Sequence, residues 1–591
     1  MRTQKSRGRT GLVAGLVFLM GVGALAAPDA GRLSLEAPPL VVEYLERWFE
    51  VFPSRATAAG WHARDAELED LSAERLAGWV EFNRRTVERS EVALAGDDLS
   101  LDDRLDLGLL AARARRVVFD YDVLDRPGRY PLYWSGLLSN ATVLLLVRED
   151  VPREERLAAV ASRARQIPRL AAQAREALAA GDRSRIAPEH AAMAARQAKS
   201  SARFYREGFE RAGDESHRER LAAAGSEAAA ALEELAVFLE ELAATAGGSP
   251  RLGADYAESF RLKTGVETPV AEVLARAELA LAAKRRETAA YGRGVWERYF
   301  PDRPVPLADR DVVAALFDRV AADRAGDVDE FVEDYRQLIA ASLDFVRERD
   351  LMTLPEPLTL WTGRSPSYFI GQSVGGVYSA GPFAPEGAET LLFLPTPPSS
   401  ATPEQRDGFF RDFNHHFNTM ITPHEVIPGH YLQLKMAARH PRKARALLGD
   451  GVYIEGWGTF CERLMLDLGW GDPLARLAHL KKQLENIARA IVDVRVHTEE
   501  MSREEVIRFV RDEALQDAQF AANMWRRAIT SSPQLTYYFL GYDQVWGHYE
   551  ETQRRLGEDF DLKTFLDGMM AMGPVPVAEY RRLTARSRAR G

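Results

Sequence analysis

The sequence predicts a mainly α fold with one small β ribbon or sheet. Long Ala-, Arg- and Glu-rich stretches carry apolar residues at steps of three and four, the spacing that lines one face of a helix. A single segment, residues 358–398, is instead rich in Gly, Pro, Ser and aromatics, with short apolar runs bounded by turn residues, as strands require. The hydrophobic content of 46% over 591 residues can bury a substantial core, and 28% charged residues suit a solvated surface.

The chain begins with Arg2, Lys5, Arg7 and Arg9, followed by the apolar run GLVAGLVFLMGVGALAA. Ala24-Leu25-Ala26 fits the small-x-small cleavage rule, so residues 1–26 read as a signal peptide. The alternative is an uncleaved anchor, but the run falls slightly short of the ~20 residues of a bilayer span. No comparable run follows, so the expectation is an exported protein, periplasmic or secreted, with no membrane span after signal removal. Cys461 is the sole cysteine, which excludes an internal disulfide and leaves none near the cleavage site to carry a lipid.

Residues 27–357 read as an N-terminal helical region and 358–591 as the region carrying the chemistry, in one continuous globular unit. In ERLAAVASRARQIPRLAAQAREALAAG, Leu157, Val160, Ala164, Ile167, Ala171, Ala174 and Leu178 form one stripe, and Gly181 closes it. Pro168 is expected to kink or divide that helix. EAAAALEELAVFLEELAATA ends at Gly247-Gly248-Ser249-Pro250, a loop signal. GGVYSAG and TLLFLP supply the strands. Net charge is −10 and no basic stripe with interleaved aromatics occurs, which argues against nucleic acid as a partner.

The chemistry concentrates in TPHEVIPGHYLQ, where His424 and His430 are six residues apart. On a regular helix that is about 600° of rotation and ~9 Å of rise, so the two imidazoles point to different sides. A shared metal requires the helix to widen or break between them. Pro428, which has no N–H, and Gly429, which tolerates unusual backbone angles, supply such a break. A bland alternative exists: residues 422–425 also match a capping box with Pro at the first helical position, which would make Glu425 a helix cap.

A third ligand is offered in YIEGWGTFCERL. Glu455 is expected on a helix, with Thr459 and Glu462 on the same face. Two histidines and a carboxylate form a His₂Glu set for Zn²⁺ with one coordination position left open.

Together these motifs resemble the bacterial family called domain of unknown function 885, placed in the zincin metallopeptidase clan. RAIVDVRVHTEEMSREEV (residues 489–506), RAITSSPQLTYYFLG (527–541) and RLGADYAESFRLKTG (251–265) extend the resemblance over most of the mature chain. Ser532-Pro533-Gln534 stands where the family has Pro-Gly-Gln, and Phe565-Leu566 where it has Phe-His, so no histidine role is assigned there.

The resemblance implies a large helical zincin-like domain with a deep cleft, the β ribbon beside the zinc site, and His424, His430 and Glu455 holding Zn²⁺. Glu425 becomes the general base of peptide hydrolysis. Tyr538, or His497 oriented by Asp493, becomes the donor to the oxyanion. Arg527 is a candidate anchor for a substrate carboxylate, and Gly375-Gly376 could offer backbone groups to an extended peptide. His415 and His416 are read as surface or supporting residues, His440, His479 and His548 as incidental, and Cys461 as packed. The leading expectation is an exported zinc metallopeptidase acting on peptides. The alternatives are a zinc hydrolase of non-peptide amides or esters, a helical envelope protein with a structural metal, and a metal-free helical scaffold.

Overall fold

Alanine at the buried positions of long helices lets their axes approach closely, and the first half of the chain is built this way. The computed structural model describes residues 33, 35–369, 376–398 and 401–586. The expected signal peptide and Gly375 lie outside the described residues. Helix α1 (Leu101–Val118) is followed by α2 (Arg153–Ala180), α3 (Pro188–Arg203) and α4 (Glu215–Thr245). Helix α4 packs along both α2 and α3 through buried Ala224, Ala228 and Ala229, which meet Ala164, Ala171, Ala194 and Ala198 in one core. Helix α2 continues through Pro168 to Ala180, so the proline does not divide it. Helix α4 stops just before the predicted Gly-Gly loop.

Two further long helices, α5 (Val270–Tyr299) and α6 (Val328–Glu348), lead to the β segment. Strands β1 (Leu360–Arg364), β2 (Gly376–Tyr378) and β3 (Thr390–Leu394) form one sheet in the order β1-β3-β2. Strands β1 and β3 are parallel, with Leu360 opposite Thr390, and β2 is antiparallel to β3, with Val377 opposite Leu392. The central strand is buried throughout, which explains its unbroken apolar run TLLFL.

Six later helices build the site: α7 (His415–Glu425), α8 (His430–Arg439), α9 (Gly451–Asp467), α10 (Pro473–Thr498), α11 (Ala518–Ser531) and α12 (Tyr537–Leu556). Helix α10 is central. Of its 26 residues 21 are buried, so its polar side chains must find partners inside the protein. Arg336 of α6 donates to the Thr362 carbonyl at 2.8 Å and Lys435 of α8 to Thr359 Oγ1 at 2.8 Å, tying the sheet to helices on both sides of the histidine motif in sequence. The chain from Leu33 onward packs as one compact unit, with Cys461 buried in it. Among the described residues no helix is long and apolar enough to cross a membrane.

Candidate metal centre

The histidine motif lies at the end of a helix and the start of the next. Asn414 caps α7, accepting the Phe417 N–H at 2.9 Å, so the helix begins well before Thr422. Residues 422–425 therefore form its last turn, and the capping-box alternative is excluded: the Thr422 hydroxyl donates backward to the Asn418 carbonyl at 2.7 Å. The chain leaves helical geometry at Val426 (φ −121°, ψ −86°) and re-enters at His430. Gly429 is required there by close approach, because a Cβ would fall 1.9 Å from the His424 carbonyl oxygen and 2.3 Å from that of Pro423. The Ser342 hydroxyl donates to the Ile427 carbonyl at 2.5 Å and the Trp457 indole to that of Pro428 at 2.9 Å, holding the break from two sides. The expected distortion is thus a complete break between two helices.

The break turns both imidazoles toward Glu455 on α9. Glu455 Oε2 lies 3.7 Å from His424 Nε2 and 3.6 Å from His430 Nε2, and one ligand atom from each residue falls within 4.8 Å of the others. Tetrahedral zinc with bonds of about 2.0–2.2 Å keeps its ligand atoms roughly 3.3–3.6 Å apart, close to the two separations from Glu455, and two imidazoles with a carboxylate are a donor set that ion takes. The His424 and His430 rings are 4.6 Å apart between centroids and inclined at 79°, edge to face rather than stacked.

Each residue of EGWG has a geometrical task. Glu455 supplies the carboxylate. A Cβ at Gly456 would fall 2.3 Å from the Gly541 carbonyl carbon, so the α9–α12 crossing needs a glycine, and Gly458 does the same for the His424 ring. Further along α9, Glu462 Oε1 pairs with His424 Nδ1 at 2.7 Å and Oε2 with His479 Nδ1 at 3.1 Å. Such a carboxylate fixes the tautomer and aim of a ligating imidazole. Burial opposes the imidazolium, yet Glu455 and Glu462 together raise the His424 pKa to about 10. Burial likewise favours the neutral acid at Glu462, and the two imidazoles overcome it, lowering its pKa to about 2. His479, read from sequence as incidental, completes this chain. Thr459 does not reach the ligands with its hydroxyl, which donates to the Glu455 carbonyl at 3.0 Å within the helix.

A second network reaches Glu455 from the other side. The Gln534 amide donates to Glu455 Oε1 and to the Tyr538 hydroxyl oxygen, both at 3.2 Å. Arg527 donates to the Gln534 oxygen at 2.6 Å and to Tyr538 at 3.2 Å, while the Arg489 guanidinium lies 4.5 Å from the Tyr538 ring centre. Tyr538 accepts two hydrogen bonds, leaving its own O–H to donate. Arg527 Nη2 is thereby engaged within the protein. Gln534 and Arg489 were not singled out from the sequence, although both sit in the segments quoted above and Gln534 precedes Tyr538 by one helical turn.

Glu425 ends α7, half-buried, and its carboxylate makes no hydrogen bond or ion pair with another described residue. It lies close enough to Tyr335 of α6 that burial, and after it the Glu425 charge, push that phenol far above its ordinary pKa.

The readings of His497 and Asp493 need correction, and Gly376, His415 and His416 find their places. His497 Nδ1 accepts the Leu252 N–H at 2.9 Å and its Nε2 donates to the Ala528 carbonyl at 3.0 Å, so neither nitrogen is left for an oxyanion. Asp493 does not orient it: Oδ1 accepts from Tyr256 and Ser532, each at 2.8 Å, and the Tyr256 ring stacks on His497. Gly376 heads the exposed edge strand β2 with φ +113° and has no described contact with the ligand cluster. His415 and His416 pair with Asp334, Asp323 and Asp472 at the opposite end of α7 from His424.

This constellation matches a family model over residues 53–583, described as a bacterial protein of unknown function (DUF885), and the chain belongs to that family. Among solved structures, a candidate lipoprotein of unknown function from Shewanella oneidensis superposes with a TM-score of 0.75 at 23% identity, covering 92% of this chain and 99% of the other. A candidate lipoprotein from Colwellia psychrerythraea gives 0.76 at 17% identity, covering 93% and 99%. Both share the fold. No curated protein matches the sequence.

Proposed function

We propose that the protein is an exported zinc metallopeptidase of the zincin type. The observation that carries the reading is the convergence of His424 Nε2, His430 Nε2 and Glu455 Oε2 beside a carboxylate, Glu425, with no partner of its own among the described residues. A purely structural site uses four protein ligands and needs no adjacent base. Zinc in the His₂Glu set supplies Lewis acidity, making water acidic near pH 7 and polarising a carbonyl. Glu425 accepts the proton of the attacking water on a carboxylate oxygen and delivers it to the departing amine nitrogen. Glu462, 2.7 Å from His424 Nδ1, would hold the imidazole in the tautomer that leaves Nε2 as donor to a metal. The Tyr538 hydroxyl, oriented by Arg527 and Gln534, donates to the developing oxyanion. The N-terminal Arg/Lys-apolar-Ala pattern supports export, as do the lipoprotein descriptions of the two structural relatives.

The test is digestion of a peptide library by the zinc-loaded mature protein and its Glu425→Gln variant, read by mass spectrometry. Cleavage that vanishes in the variant while zinc stays bound is the expected result, and fragment ends then report exo- or endo-action. Bound zinc with no cleavage by either protein overturns the peptidase reading and turns attention to non-peptide amides or esters.

A further inference from the structure

The chain carries a net charge of −10, yet one recess is strongly basic. Two cavities, of about 300 and 550 Å³, share Arg113, Arg116, Asp120 and Arg126 in their walls; Lys263 lines the first and Arg55 the second. Five cations thus face one carboxylate. Asp120 is already shared, 3.3 Å from Lys263 Nζ and 3.3 Å from Arg126 Nη1. Arg55, Arg113 and Arg116 make no ion pair with a described residue. Arg113 lies against the Trp48 ring at 4.9 Å, and its Nε is buried without a hydrogen-bond partner. Arg55 and Arg126 are exposed and Arg113, Arg116 and Lys263 half-buried, so the recess opens to solvent. Burial, and then repulsion from Arg113, lowers the pKa of both Arg55 and Arg116. Unpaired guanidinium groups in a recess are costly unless an anion completes them.

The recess abuts the elements of the metal centre. Ser532, Pro533 and Tyr537 line the smaller cavity, on either side of Gln534, which bonds Glu455. Tyr537 also packs on Gly451 at the start of α9, one turn before Glu455. The larger cavity extends past Trp48, Trp79 and Tyr133 to Tyr378 of β2, so its walls are aromatic as well as basic.

We infer that this recess is an anion subsite that receives an oxyanion, a carboxylate or a phosphate, borne by a ligand that extends toward the metal centre. Naming a peptide with acidic residues as that ligand rests on the peptidase reading; the anion site itself does not. The guanidinium groups of Arg113 and Arg116 grip the anion, and the aromatic wall takes any apolar part of the ligand.

Calorimetric titration of the zinc-loaded Glu425→Gln mature protein with tri-glutamate, tri-glutamine and inorganic pyrophosphate tests this without turnover. Tri-glutamate is expected to bind more tightly than tri-glutamine, with affinity falling as salt rises from about 50 mM. Arg113→Gln and Arg116→Gln are each expected to weaken binding roughly tenfold or more. Lys263→Met provides a third variant should either arginine change prevent folding, which melting temperature reports. Pyrophosphate binding alone identifies a phosphate as the anion, whereas tri-glutamate binding identifies a carboxylate. Binding of neither probe, or binding unchanged in folded variants, overturns the inference. Glu425-dependent cleavage without anion binding removes the recess and keeps the peptidase; anion binding without cleavage does the reverse.

Discussion

Gly458 presents its bare Cα to the His424 imidazole, so close that a Cβ would lie 2.9 Å from both Cε1 and Nδ1 of the ring. The ring cannot yield without breaking its 2.7 Å contact with Glu462 or leaving Glu455. Gly458→Ala is therefore expected to lower zinc affinity by at least about tenfold, since displaced ligand geometry costs what a lost supporting contact costs. Equilibrium competition with a chromogenic chelator measures this. Affinity equal to the wild type would show that the ring has room to move.

Glu462→Gln keeps the shape of the side chain and removes the charge that orients His424 and His479. Affinity for zinc should fall about 10–100-fold. In the wild type, stripping the metal with a chelator should lower the melting temperature, because saturating a site at about 1,000 times its Kd adds roughly 4 kcal/mol. The same treatment should shift Glu462→Gln less at equal total zinc.

Tyr538→Phe removes one hydroxyl and leaves Gln534 its bond to Glu455. If Tyr538 donates to an oxyanion, kcat on a cleaved peptide should fall about 100-fold with KM within a few-fold and zinc content unchanged. Equal losses in zinc content and activity would instead make Tyr538 a support for the ligand.

Asp493 and His497 lie one turn apart on α10 and titrate in opposite senses. Burial raises the Asp493 pKa to about 7, so its contribution to stability is fully present below a carboxylate's ordinary ~3.9 and is lost as pH rises through 7. Burial lowers the His497 pKa to about 4, so its contribution is present above an imidazole's ordinary ~6.5 and is lost as pH falls through 4. Between these limits the two slopes oppose each other. Asp493→Asn keeps an acceptor for Tyr256 and Ser532 and removes the carboxylate slope, so its stability relative to the wild type should rise with pH from about 4 to about 7 by about 1–3 kcal/mol. Urea midpoints across that range check it, and a profile parallel to the wild type would exclude Asp493 as the titrating group.

Helix content and the late β segment were legible because each depends on residue type at short spacing. Pro428-Gly429 between two histidines announced the break, and an apolar helix bearing Glu455 announced the third member of the cluster. What spacing alone obscured is where α7 starts, since Asn414 and the residues after it offer a cap as good as Thr422. His497 was misread for a related reason. Its distance of four from Asp493 suggested a pair, but its partners, Leu252 and Ala528, come from segments far away in the chain. Gln534, Arg489 and His479 depend in the same way on tertiary neighbours, as does the basic recess, whose arginines are scattered between residues 55 and 126 with Lys263 added from elsewhere.

The break at residues 426–429 also has an electrostatic consequence. A continuous helix has no free ends at its middle, but here α7 finishes and α8 begins within four residues. The closing carbonyls of α7 carry partial negative charge beside His424, and the opening amides of α8 carry partial positive charge beside His430. The local field therefore reverses sign across the histidine pair. It favours a cation on one side and accumulating negative charge on the other, each by about 0.3–1 kcal/mol, and it belongs to the backbone, so no side-chain substitution outside the turn removes it.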